Sequence, residues 1–323
     1  MASKRLAGVA SLAFALALVA AACGVDGPGS NSSVGSRSYT GARGVSLLRA
    51  SARSTTDAKT AKFEMTFRIS GFRGFTGRSS DVDVKATGAF DIPAHKARLK
   101  VDLGSLFSGL FGRPGSDTIP PGSGEVELIL VGGTAYLNAG TFQSLYGGSA
   151  DKPWIKTDAG GANGAIGSYG SSDPSQFLTF LRSVSGDIKK VGEEEVRGTA
   201  TQHLHTTIDL PKLVDRVPRK DRAKARNALA GLGKRAAATL KSVPADVWVD
   251  KDNLVRRFSM TYAVPASSST TGSTTGATPP DSAKVTTALT IEFFDFGKSV
   301  DISPPPADQV SAKRLNGFDK PGG

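Results

Sequence analysis

The stretch Ala61–Ser70, AKFEMTFRIS, places an apolar side chain at every second position: Phe63, Met65, Phe67 and Ile69 alternate with Glu64, Thr66 and Arg68. A period of two sends the two sets to opposite faces of a strand, one suited to a core and the other to water. The same alternation recurs in Val82–Phe90, in Ala97, Leu99, Val101 and Leu103, in Glu125–Val131 and in Thr134–Asn138. Trp154–Asp158, Asp187–Glu194, Thr199–Asp209, Asp246–Asp250, Leu254–Val264 and Lys284–Phe296 read the same way, which makes about eleven strands. Gly132-Gly133 and Lys251–Asn253 are short links of the hairpin kind, so neighbouring strands are expected to run antiparallel. The breaks at Gly112–Gly124, Ala159–Ser172 and Pro265–Ala283 are longer, and the last is a Ser/Thr/Gly run too polar to pack, expected as a mobile loop between two paired strands.

Helices are few. Asp173-Pro174 offers an N-cap and a proline at the first helical position, followed by Phe177, Phe180, Leu181 and Val184 on one face. Leu210–Leu240 reads as a turn of helix, a restart at Pro218 and a longer basic helix. The expectation is an α+β fold, one large antiparallel sheet whose apolar face is covered by two or three helices.

Outside this body, Lys4 and Arg5 precede the apolar stretch Leu6–Ala22 and the small residues that lead to Cys23, the pattern of an export signal over residues 1–22. The thiol directly after Ala20, Ala21 and Ala22 resembles a bacterial lipobox, with Ala20 where leucine is usual. Acylation of Cys23, with palmitate-class chains, would anchor the protein by about 0.8 kcal/mol per buried methylene. An ordinary cleavage site at the same bond is the rival reading. Residues 23–44 are rich in Gly and Ser and read as a flexible tether, 45–310 as one domain and 311–323 as a tail.

Composition narrows the chemistry. One Cys in 323 residues excludes an intramolecular disulfide and a Cys-based zinc site, and 3 His make a histidine-rich metal centre a poor expectation. No Gly-x-Ser-x-Gly elbow, phosphate loop or His-Glu-x-x-His occurs, so no catalytic residues, cofactor or metal are expected. His203 and His205 share one face of a strand but have no third ligand, and Asp250 and Asp252 read as a hairpin turn, since Val255 and Thr261 stand where a calcium loop needs Gly and an acid.

Two segments invite a functional reading. Arg216–Lys241 holds nine basic residues against the single acid Asp221 and supplies most of the net charge of +11. Arg222, Lys234, Arg235 and Lys241 are candidates to meet anionic lipid headgroups, each basic residue contributing about 1 kcal/mol near such a surface; a solvated helix face is the plainer account. An exported chain would not meet nucleic acid. Leu103, Leu106, Phe107, Leu110 and Phe111 lie at helical spacing and could form a lid over a cavity or a piece of the core.

The segment Phe177–Leu210, FLTFLRSVSGDIKKVGEEEVRGTATQHLHTTIDL, resembles the actinobacterial lipoproteins of the LppX/LprG type. So do Val243–Met260, VPADVWVDKDNLVRRFSM, and the close FFDFGKSVDISPPPADQV. The likeness covers roughly residues 45–310. It implies a LolA-like half barrel: a strongly curved antiparallel sheet with helices over its concave side and an apolar cavity between them. It also implies a membrane-anchored, non-catalytic lipoprotein on the outer leaflet of the cytoplasmic membrane that holds acyl chains of a lipid or glycolipid and carries or presents them across the envelope, with an envelope transporter as a further candidate partner. On that reading the lining candidates are Phe63, Met65, Phe67, Leu99, Val101, Leu106, Phe107, Leu110, Phe177, Phe180, Leu181, Phe258, Met260, Tyr262, Leu289, Ile291 and Phe293. The alternative is a non-catalytic envelope scaffold with a solid core and a protein partner.

Overall fold

A computed structural model of the chain describes residues 38–39, 42–73, 79–106, 124–140, 149–158, 188–208, 222–223, 226, 241–265 and 284–314. Seven strands come first: β1 (Ser38–Tyr39), β2 (Thr60–Arg73), β3 (Ser79–Asp91), β4 (Lys96–Asp102), β5 (Glu125–Val131), β6 (Thr134–Asn138) and β7 (Trp154–Asp158). Six follow: β8 (Ile188–Val196), β9 (Thr199–Ile208), β10 (Val243–Asp250), β11 (Val255–Pro265), β12 (Lys284–Phe294) and β13 (Val310–Arg314). All belong to one sheet of 13 strands in the order β1-β8-β9-β10-β11-β12-β2-β3-β4-β5-β6-β7-β13. The sheet consists of two antiparallel meanders, β2–β7 and β8–β12, fused where the last strand of the second lies beside the first strand of the first.

That fusion is set by matching apolar rows. Phe293, Ile291 and Leu289 of β12 stand opposite Phe63, Met65 and Phe67 of β2, and a slip of one residue would turn every one of them toward solvent. Gly132 and Gly133, at φ 56° and 81°, make the tight β5–β6 turn that only glycine adopts without strain. Asp250 closes the β10–β11 turn by accepting from the Asp252 and Leu254 amides, both at 2.9 Å, so this acidic turn is indeed a hairpin.

The sheet is open, since β1 and β13 are its edges and do not pair with each other. It is curved, and its β8–β9 end folds over the outer face. Arg197, in the β8–β9 turn, reaches Glu292 on β12 at 2.7 Å and also pairs with Glu64 on β2. Those strands stand three and four places from β9, which in a flat sheet would be roughly 14–19 Å, beyond an arginine's reach. Irregular pairing at Ile69/Phe72, Lys190/Gly192 and Trp248/Val249 supplies local bends of the kind β-bulges make.

All eleven expected strands are present, and the folded body runs past both sequence-derived limits. Strand β1 and helix α1 (Ala42–Asp57) begin inside the stretch read as tether, and β13 continues from Val310 into the stretch read as tail. The β13–β7 pair is parallel, so the all-antiparallel expectation fails at that edge. Between β12 and β13 the chain crosses the outer face and packs Val300 and Ile302 with Ile129 and Trp154 in a small second core. The expected helix after Asp173-Pro174 lies outside the described residues, as do most of Leu210–Leu240; Arg222, Ala223 and Arg226 there are helical, and so are Gly104, Ser105 and Leu106 of the apolar segment.

Candidate functional site: the inner face of the sheet

Because directly opposed residues share a face, the register assembles the inner face row by row. One row runs Phe293, Phe63, Gly88, Leu99, Leu128, Leu137 and Ile155. The next runs Leu204, Val247, Phe258, Ile291, Met65, Ala86, Val101 and Val126. A third joins Thr206, Ala245, Met260, Leu289, Phe67 and Val84, and a fourth includes Tyr262, Thr287, Ile69 and Val82. The eleven sheet positions named from sequence as lining, Phe63, Met65, Phe67, Leu99, Val101, Phe258, Met260, Tyr262, Leu289, Ile291 and Phe293, therefore all stand on this one face.

The opposite face carries charge. Arg68 binds Asp83 at 2.6 Å, Arg98 binds Glu127 at 2.5 Å, and Arg257 meets Glu292 at 2.6 Å. Exposed pairs of this kind contribute at most about 1 kcal/mol each, whereas each large apolar side chain fully buried on the inner face contributes about 1.5–3 kcal/mol. Burial of the inner face is what holds the sheet.

That burial is uneven. Helix α1 lies over the half of the face formed by β8–β11: Leu48 and Ala52 are inaccessible to solvent in the same core as Phe258 and Val247, and the Thr55 hydroxyl accepts the Val255 amide at 2.9 Å. On the other half, Phe63, Met65, Leu99, Ala97 and Val126 remain half-buried. Small residues deepen this half. A Cβ at Gly88 would come 2.5 Å from the Arg98 carbonyl oxygen and would run into the Phe63 ring, which lies across the glycine. Phe63, Phe90 and Phe293 close one end of the trough, with ring centroids 6.4–6.5 Å apart.

Leu106 packs at the margin of this core, and Ser105 donates to the Asp83 carbonyl. Phe107, Leu110, Phe177, Phe180 and Leu181 lie outside the described residues, as do Cys23, Lys234 and Arg235. Arg222 is half-buried on its helical residues and Lys241 is exposed just before β10.

The histidine pair occupies the outer face, where carboxylates engage it. Both His203 ring nitrogens face carboxylates, Glu194 and Asp246, each at 2.8 Å, and His205 Nδ1 lies 2.9 Å from the same Asp246 oxygen. Burial opposes charge on His203, yet hydrogen bonds and charge from Asp246 and Glu194 outweigh it and raise its pKa. Burial likewise works against Asp246, but the two histidines hold it down at about 2. Among the described residues there is no group of three or more His, Cys, Asp or Glu disposed to hold a metal, and no helix long and apolar enough to cross a membrane.

No family model matches the chain. An uncharacterised 31.2 kDa protein encoded between rplA and rplJ in Streptomyces griseus is 30% identical over 142 residues, 42% of this chain and 45% of that protein, so the match spans less than half of the relative. Among solved structures, LprF from Mycobacterium bovis matches 82% of this chain and 98% of its own at 14% identity and a TM-score of 0.42. The lipoprotein LppX from Mycobacterium tuberculosis matches 80% and 99% at 12% identity and a TM-score of 0.36. A LolA superfamily protein from Nitrosomonas europaea matches 77% and 93% at 8% identity and a TM-score of 0.23. These are the solved structures to which the chain is similar.

Proposed function

We propose that this chain is a membrane-anchored lipoprotein that binds acyl chains of a lipid or glycolipid against the β2–β5 half of its inner face and carries or presents them at the envelope, by burial and without chemistry. The observation that carries the reading is the uneven cover of that face: α1 seals the β8–β11 half, while Phe63, Met65 and Leu99 stay half-buried on the other. Flexible Met and Leu beside Phe rings suit an acyl chain, which needs apolar contact and few placed polar groups. Leu106, Phe107, Leu110, Phe177, Phe180 and Leu181 would complete the lining. Acylated Cys23 would hold the body at the outer leaflet, with Arg222, Lys234, Arg235 and Lys241 toward anionic headgroups.

The test is native mass spectrometry of residues 25–323 after exposure to dioleoylphosphatidylglycerol vesicles, followed by organic extraction. Near-stoichiometric lipid on the folded protein is expected. A clean apo mass at every lipid concentration would overturn the reading and turn attention to a protein partner.

A further inference from the structure

The partly accessible positions of the inner face include a continuous line across the strands. Val126 on β5, Leu99 on β4, Gly88 on β3 and Phe63 on β2 are each half-buried, whereas their neighbours Leu128, Val101, Ala86 and Phe90 are buried. The last three of the line stand directly opposite one another in the register. From β5 to β2 it crosses three strand spacings, about 14 Å. At β2 the line ends. The Phe63 ring lies across Gly88, where a side chain would leave it no room. Phe90 and Phe293, both buried, back that ring with centroids 6.4 and 6.5 Å away. Past the β12–β2 seam, Phe258 and Val255 are inaccessible to solvent, so packed core follows. Of the three rings, Phe63 alone presents surface to the half-covered side.

Resting on the acyl-binding reading above, we propose that Phe63, seated on Gly88 and backed by Phe90 and Phe293, sets the length of acyl chain that the site accepts. The tail lies across β5, β4 and β3, and its methyl end meets the ring. An acyl chain gains affinity with each methylene it takes out of water and gains nothing from methylenes that find no room. A close-packed ring is a firm stop, since moving it disturbs the two rings behind it. Gly88 makes the floor of the line deepest just before the stop, because it alone there has no side chain.

The experiment offers wild type and variants the same mixture of saturated 1-monoacylglycerols, lauroyl to arachidoyl, on cyclodextrin, and reads the retained chain lengths by native mass spectrometry. A common mixture cancels differences in lipid solubility. In wild type, binding should tighten about fourfold with each methylene, equivalent to about 0.8 kcal/mol, up to a break and no further beyond it. Phe63→Ala should move the break to a longer member of the series, and Phe63→Leu should move it less. Gly88→Ala, which lifts the ring off the sheet, should move it to a shorter one. Leu48→Ala, under α1, should lower the melting temperature and leave the break in place. A break that stays put in both Phe63 variants, an equal shift in Leu48→Ala, or wild-type affinity that climbs through the whole series would overturn the length stop and leave acyl binding standing. A wild type that takes up no glyceride would remove the acyl-binding reading itself.

Discussion

Between Glu194 and Asp246, the His203 ring can satisfy both carboxylates only by donating from both nitrogens, so it is held as an imidazolium, stacked on Trp248 with centroids 4.3 Å apart. Its raised pKa means that its contribution to stability is complete below the ordinary value of 6.5 and is lost as pH rises through the folded value. Asp246 works in the opposite sense: its contribution is present above 3.8 and is lost as pH falls through about 2. The difference in melting temperature between wild type and His203→Gln should therefore shrink steadily above pH 6.5; a constant difference up to pH 9 would mean that the ring is not charged in the fold. At Gly88 the constraint is steric. Gly88→Ala must displace the Arg98 backbone or the Phe63 ring and should cost about 1–3 kcal/mol in urea denaturation. Of these residues, sequence pointed to His203 and His205 as neighbours on one face. Asp246 and Glu194, which give the pair its charge, come from other strands, and only pairing reveals them.

Helix α1 has the most weakly written code of any element here. Its buried stripe is Leu48, Ser51, Ala52 and Thr55, half of it hydroxyl residues, so no apolar periodicity announces it. The stripe can be buried because Ser51 and Thr55 donate to the Leu47 and Ser51 carbonyls one turn back, at 3.0 and 2.8 Å. Thr55 then also accepts the Val255 amide and pins the helix to the start of β11. Thr55→Val should leave that amide buried and unsatisfied, lowering stability by about 1–3 kcal/mol and speeding hydrogen exchange at Val255. An unchanged exchange rate would show that the helix is held by packing alone. Leu48→Ala should cost more, about 2–5 kcal/mol, because its side chain is fully enclosed. The strands, by contrast, were legible to within a few residues, since a half-buried strand in an open two-faced sheet must alternate.

For the whole molecule, the proposed anchoring and the proposed cargo binding are separable. Cys23→Ser should release the protein from the membrane fraction into the medium while leaving lipid uptake by residues 25–323 intact. Changing Lys234, Arg235 and Lys241 to Glu should weaken attachment of the soluble form to anionic vesicles at low salt; equal binding would take the basic segment out of the headgroup role. The amino-acid sequence by itself determined the strand positions, the apolar identity of one face and the charge on the other, because these follow from local composition and a period of two. Only the tertiary structure decided that β12 joins β2 and fuses two meanders, and that α1 covers one half of the inner face and leaves Phe63, Met65 and Leu99 half-buried. Those outcomes depend on which strands pair and where a helix comes to rest, contacts between residues as much as about 230 positions apart, and no local pattern in the chain specifies them.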